Sequence, residues 1–334
     1  MKQKNKVLIT GGAGFIGSHL VEGLLKKTNW EIVILDRLDL SGNLERLRDI
    51  EIWEKEKSRV KFVWWDLKSE INNYTKKVIG KVDYIWHLAA SSHVDRSIEN
   101  PLLFVMDNVV GTCNILNFAR QIKNLKLFIN FNTDECFGPA KKGVYYKETN
   151  RHNPTNPYSA SKVGQWALGV AFENCYKVPI INTYTMNVFG ERQHPEKFIP
   201  MVIKKTLAGK KVTIHADKSK TTAGQRHYIH ARNVCSALLF LTEKKYTGYD
   251  EFNIVGEKEV NNLFLAKFIA KTIGKELKYE MTDFHSSRPG HDLRYALNGE
   301  KLKKIGFKYP KTFEESLRNT IKWTANPKNK KWID

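Results

Sequence analysis

With 334 residues, 41% apolar and 27% charged, the chain has the composition of an ordinary globular protein, long enough for one large or two modest domains. No run approaches the ~18 consecutive apolar residues of a membrane-spanning helix, and the scattered cysteines (Cys113, Cys136, Cys175, Cys235) lack the Cys-x-x-Cys spacing of a zinc site or a disulfide framework. The 55 Lys+Arg against 35 Asp+Glu, formally +20, are spread as singles and pairs with their densest cluster at 328–331, which favours a solvated basic surface over a nucleic-acid-binding block.

Along the chain, residues 7–10 open as a β-branched run that meets a glycine-rich turn at once, so they read as a first strand and not as a secretion signal; a cytoplasmic protein is expected. Further strands are expected at 31–36, 60–65, 84–89, 127–132 and 180–184, with helices at 16–27, 102–122 and 158–175 between them. Alternation of this kind predicts an α/β fold built on a doubly wound parallel sheet of the Rossmann type. The strands lack polar alternation, as in a sheet covered on both faces. Beyond residue 187 the texture becomes irregular, punctuated by Pro195, Pro200, Pro289 and Pro310, with helical patterns at 262–273 and 313–323. The expected division is a dinucleotide-binding domain over 1–186, to which 228–256 returns, and a smaller α/β substrate domain over 187–334.

Residues 10–17 read Thr-Gly-Gly-Ala-Gly-Phe-Ile-Gly between the first strand and the first helix. In that context Gly11, Gly14 and Gly17 permit a tight turn, and the backbone around Phe15 and Ile16 can offer free N–H groups to a pyrophosphate. The second strand ends in Asp36, placed to accept from an adenosine ribose and to repel a 2′-phosphate. NAD is therefore the expected cofactor; Arg37 next door would soften its preference over NADP. Structural glycines alone would explain the loop but not Asp36.

Residues 132–138 read Asn-Thr-Asp-Glu-Cys-Phe-Gly at a strand end, where doubly wound folds place their ligands. Asn156-Pro157-Tyr158-Ser159-Ala160-Ser161-Lys162 opens a helix, with Asn156 as cap, Pro157 in the first turn and Tyr158 and Lys162 on one face. An ammonium beside a phenol lowers its pKa and makes it a general base.

The glycine loop and Tyr-x-x-x-Lys together resemble the extended short-chain dehydrogenase/reductases that act on nucleotide sugars. Further matches are His87-Leu88-Ala89-Ala90, Asn108 in Asn-Val-Val-Gly-Thr, and the 288–295 segment Arg-Pro-Gly-His-Asp-Leu-Arg-Tyr. The adjacent carboxylates Asp134 and Glu135 look like the 4,6-dehydratases of that family, whose epimerases usually carry small or apolar residues there. The resemblance implies that Tyr158, with Lys162 and Thr133, deprotonates the C4 hydroxyl, that Glu135 removes the C5 proton, and that Asp134 protonates the departing O6. It adds Asp66, Leu67 and Ala89 to the NAD contacts. Ser91, His93, Asn187, Lys197, Phe198, Arg226, Arg288 and His291 become substrate contacts, with Arg226 and Arg288 suited to the diphosphate.

Departures from the family are Asn132 for Ser, Phe137 for Tyr, Ser91 for Glu, and Gln225-Arg226-His227-Tyr228 for Arg-Asp-Trp. The apolar stripe Leu102, Val105, Met106, Val109, Cys113 and Leu116 resembles the family's four-helix dimer interface, so a homodimer is expected. No metal, membrane or nucleic-acid partner is expected. Rival readings are a 4-epimerase or decarboxylase on the same scaffold, and a non-catalytic NAD- or RNA-binding protein.

Overall fold

The computed structural model describes residues 4–244, 246–283 and 294–334. Twelve strands are present among them: β1 Lys6–Thr10, β2 Glu31–Asp36, β3 Val60–Trp64, β4 Tyr84–His87, β5 Leu127–Thr133, β6 Ile180–Thr185, β7 Asn187–Phe189, β8 Val212–Ala216, β9 Gln225–His230, β10 Tyr249–Ile254, β11 Glu259–Asn261 and β12 Tyr279–Asp283. Seven of them form one parallel sheet in the order β10-β6-β5-β4-β1-β2-β3. The chain runs outward from β1 to β3, then crosses to β4 and runs the other way. The switch point between β1 and β4 opens a crevice at the carboxyl ends of the strands.

Every residue of β4, β5 and β6 is buried, so their apolar runs face helices on both sides. On one face helix Phe15–Lys27 packs beside helix Ala231–Glu243, around Leu20, Leu24, Val234 and Leu238. On the other, residues 101–119 and helix Pro157–Tyr176 cover the sheet. The 101–119 stretch is long and apolar enough to cross a membrane by length and composition, but half of it is buried within the protein. It is one continuous helix with a π-turn at Met106–Val110, a distortion that shifts the register of Asp107 and Asn108.

Beyond β6 the chain builds a separate apolar core from Phe189, Ile199, Ile203, Leu265, Ile269, Phe313 and Leu317. Around it lie a three-stranded sheet, β11-β9-β7, and the parallel pair β12-β8. Residues 228–256 divide between the two sheets. Strand β9 pairs with β7 and β11 in the small sheet although its Ile229 packs into the main core, and helix Ala231–Glu243 and β10 lie with the main sheet. Pairing rather than apolar character decides this, because β9 finds open edges on β7 and β11. All four cysteines are free.

Candidate functional site

The crevice between β1 and β4 is lined by backbone donors. Gly11 takes φ +71°, and a Cβ there would sit 2.9 Å from the Ala89 amide nitrogen; a Cβ on Gly17 would lie 2.2 Å from the Gly11 carbonyl oxygen. Helix Phe15–Lys27 starts at Gly14 without a side-chain cap and without an acidic residue in its first turn. Its first N–H groups and the positive end of its dipole are thus left for an anion.

At the tip of β2, buried Asp36 accepts from Ala13 N–H and Leu38 N–H, both at 2.9 Å. Arg37 is held by Asp107 through two contacts, 2.6 and 2.8 Å, and by Asp39. That guanidinium is occupied, and the softening expected of it is not what the geometry provides. Asp66 lies 3.5 Å from Arg37, and Leu67 is buried with its carbonyl accepting from Asn114. Ala89 N–H is taken by the Thr10 hydroxyl. These features fit a dinucleotide: a cradle of glycines, an uncapped helix start and a carboxylate at the ribose position.

Across the crevice, β5 ends in Thr133, which caps the short turn Asp134–Phe137. The Thr133 hydroxyl donates to Asp134 Oδ1 at 3.0 Å, while Asp134 Oδ2 is buried without a hydrogen-bond partner. Segment 153–156 is pinned against this turn, with Asn153 N–H on the Cys136 carbonyl and the Asn153 carbonyl where a Cβ on Gly138 would be. Asn156 then caps helix Pro157–Tyr176 in a capping box with Ser159, and its Nδ2 donates to Glu135 Oε2 at 3.2 Å. One cap thereby fixes Tyr158 and Glu135 together.

Burial lifts both carboxyls, Asp134 to about 6 and Glu135 to about 7, with the charge of Arg226 opposing the rise in each. Tyr158 is buried and shares a hydrogen bond with Thr133. Burial, reinforced by the Glu135 carboxyl, pushes its phenol well above the usual range. This corrects the expectation of a lowered phenol. The Lys162 ammonium donates to the Phe131 carbonyl at 2.7 Å and to Gln165 Oε1 at 2.5 Å. Burial lowers Lys162 to about 7.

Among the expected substrate contacts, Arg226 stacks on Tyr295 at 4.8 Å and Lys197 stands at the start of helix Phe198–Leu207; both charges reach Glu135. Phe198 is half-buried in the first turn of that helix. His93 precedes helix Val94–Glu99 with its Nε2 3.4 Å from Glu196 and its Nδ1 buried and unpartnered. Asn187 is exposed on β7. Ser91 turns elsewhere: its hydroxyl donates to Asp107 at 2.5 Å and its backbone pairs with Asn108. It therefore belongs to the Arg37–Asp107 network. Arg288 and His291 lie outside the described residues.

Sequence reading missed Asn156 as a carboxylate partner, and it missed the links from Asn108 to Ser161 (2.8 Å) and from Gln165 to Lys162. The last was open to a spacing argument, since residues three apart share a helix face.

A model of the family described as GDP-mannose 4,6 dehydratase matches residues 8–320. The dTDP-glucose 4,6-dehydratase of Salmonella typhimurium is 34% identical over 98% of this chain and 94% of its own. A trifunctional UDP-glucose 4,6-dehydratase/3,5-epimerase/reductase of Arabidopsis thaliana is 35% identical over 98% of this chain, which spans only 48% of that protein. Among solved structures, the dTDP-glucose 4,6-dehydratase of Streptomyces venezuelae, crystallised with NAD, superposes with TM-score 0.86 at 30% identity, covering 98% of this chain and 99% of that one.

Proposed function

The chain belongs to the GDP-mannose 4,6 dehydratase family, and on that premise we propose that it is an NAD-dependent hydro-lyase that converts a nucleoside-diphosphate glucose into its 4-keto-6-deoxy derivative. The observation that carries this is the pair Asp134–Glu135, adjacent, lifted toward neutrality, and set beside Tyr158 at the carboxyl end of β5. An epimerase needs no such pair, because exchange at C4 moves no proton at C5 and breaks no bond to O6.

Bound NAD would accept hydride from C4 and return it to C6, ending as it began. Its holders are the loop 11–17, with Phe15 and Ile16 supplying N–H groups, together with Asp36. Tyr158, with Lys162 four residues on as its partner, takes the proton of the C4 hydroxyl; the Thr133 hydroxyl, which reaches both Asp134 and the phenol, favours the ionised phenol when its proton is turned to Tyr158. The ketone at C4 acidifies C5–H, Glu135 removes that proton, and Asp134 gives its proton to the departing O6, so that water leaves. Glu135 then returns a proton to C5. Both carboxyls lie near neutrality, Glu135 above Asp134, so the productive state, Glu135 ionised and Asp134 protonated, is reached by passing a proton from the first to the second. Arg226 and Lys197 supply positive charge for a diphosphate. The exposed Leu102, Leu103 and Val105 beside helix Pro157–Tyr176 support a homodimer, although Leu116, expected in that stripe, is core.

The test is mass spectrometry of sugar nucleotides after incubation with NAD and, separately, dTDP-glucose and UDP-glucose. Loss of one water establishes the dehydratase, and the faster substrate identifies the base. Unchanged mass from both, or conversion to the galactose epimer, overturns it.

A further inference from the structure

Lys162 sits in a polar pocket built by the sheet beneath it. Its helix face carries Lys162, Gln165 and Gly169, and β5 and β6 present Asn130 and Asn182 in register against that face. Lys162 is 3% exposed, and Gln165, Asn130 and Asn182 are fully buried. At Gly169 a Cβ would come within 3.1 Å of Asn130 Nδ2 and 3.2 Å of Asn182 Oδ1, so the missing side chain is what lets the amides reach the helix.

The orientation of each amide follows from backbone groups that can only accept. Asn130 Nδ2 faces the Gln165 carbonyl at 3.1 Å, so Asn130 Oδ1 is turned to the Gln165 side chain. Gln165 Nε2 donates to that oxygen at 2.6 Å and lies 3.3 Å from the Phe131 carbonyl. Gln165 Oε1 must then face Lys162, which it does at 2.5 Å. With the Phe131 carbonyl taking a second N–H, two of the three ammonium donors are committed.

We propose that Gln165 is a positioning residue for Lys162, and that Asn130 selects the end of the Gln165 amide that Lys162 meets. The inference rests on the reading of Lys162 as the partner of Tyr158 in catalysis. A fixed acceptor favours the charged amine, which burial alone would discharge. The other ionisable groups around the ammonium are the Cys136 thiol and the His87 imidazole, with Tyr158 one helical turn earlier; burial keeps His87 neutral. Gln165 is thus a neutral side chain whose replacement resets the amine without touching the carboxylates.

The experiment uses the full chain as Gln165→Leu and Gln165→Glu, with thermal melting to confirm folding. Lysine-labelled protein is titrated by 13Cε NMR without substrate, the Lys162 resonance being the one missing in Lys162→Met. Gln165→Leu is expected to move the Lys162 titration down by about one pH unit and Gln165→Glu to move it up by a similar amount. With substrate, kcat of Gln165→Leu near neutrality is expected to fall about 10-fold with KM within about twofold, and Gln165→Glu to retain most of it. An unmoved Lys162 titration in a folded Gln165→Leu overturns the proposal. If that variant does not fold, an unmoved titration in Gln165→Glu does the same. Absence of turnover by the unaltered protein would instead sink the dehydratase reading, and would leave the lysine titration to be judged by itself.

Discussion

Asn156 and Glu135 are joined by a single amide contact, Nδ2 to Oε2 at 3.2 Å, while the oxygen of the same amide accepts from Ser159 N–H at 2.8 Å and caps the helix of Tyr158. A residue whose type is dictated by helix capping is thereby also a holder of the C5 base.

Replacing Asn156 separates the two duties. Asn156→Ala loses the cap, at about 1 kcal/mol, and frees Glu135; the expected result is a lower melting temperature and a kcat reduced roughly 10- to 100-fold. Asn156→Asp keeps a capping oxygen but sets a second anion against Glu135, which raises its pKa. That variant should melt close to the unaltered protein while the acid limb of kcat/KM moves to higher pH. Calorimetry and a pH–rate profile read both.

The pH dependence of turnover follows from Glu135. It must be ionised to take the C5 proton, and burial raises its pKa to about 7. The rate kcat/KM is expected to fall as pH drops through about 7. Glu135→Gln should abolish dehydration, by about 10²-fold or more, while leaving NAD binding intact. Deuterium exchange at C5 of the product in D2O reads the lost proton transfer directly.

Stability should show the opposite preference. The Glu135 pKa in the folded chain, about 7, lies above its ordinary 4.5. Between those values the folded state binds the proton that the unfolded chain releases, so the group's contribution is full below about pH 4.5 and is lost as pH rises through about 7. Glu135→Gln should therefore melt higher than the unaltered protein at pH 8, by about 1–3 kcal/mol, with the gap closing toward pH 4. Equal stability at pH 8 would mean that the carboxyl is well solvated.

Arg37 supplies a test of cofactor choice. Its guanidinium is held by Asp107, whose side chain is 4% exposed. Arg37→Ala leaves that carboxylate without its charged partner, the Ser91 hydroxyl remaining, and a loss of about 1–3 kcal/mol is expected, less than for a fully buried pair because Arg37 itself is partly solvated. The preference for NAD over NADP should be unchanged, since the arginine is not available to a 2′-phosphate. Asp36→Ala should weaken NAD about 10-fold or more, because it removes the ribose acceptor and leaves the Ala13 and Leu38 N–H groups unpaired. Titration of both cofactors against each variant separates the two effects.

Local chemistry made much of this protein readable from its residues. The β-branched runs, the glycines at 11, 14 and 17, Asp36 after the second strand, and Asn156-Pro157 before Tyr158 each have a mechanism confined to a few neighbours, and each lies where its spacing requires. The adjacency of Asp134 and Glu135 was likewise covalent. Tertiary structure alone decided how these parts face one another and what charge they carry. Lys162 shares a helix face with Tyr158, yet its ammonium is drawn to the Phe131 carbonyl and Gln165, because a buried amine goes to the nearest fixed acceptors. The phenol is raised rather than lowered, since desolvation depends on everything packed around it and no motif records that. Strand β9 joined the small sheet because open edges on β7 and β11 were available, and Ser91 turned to Asp107 because that carboxylate, on the 101–119 helix, is held within reach by Arg37. Spacing specifies what neighbours along the chain can do; burial and long-range partners decide which of those capacities are used.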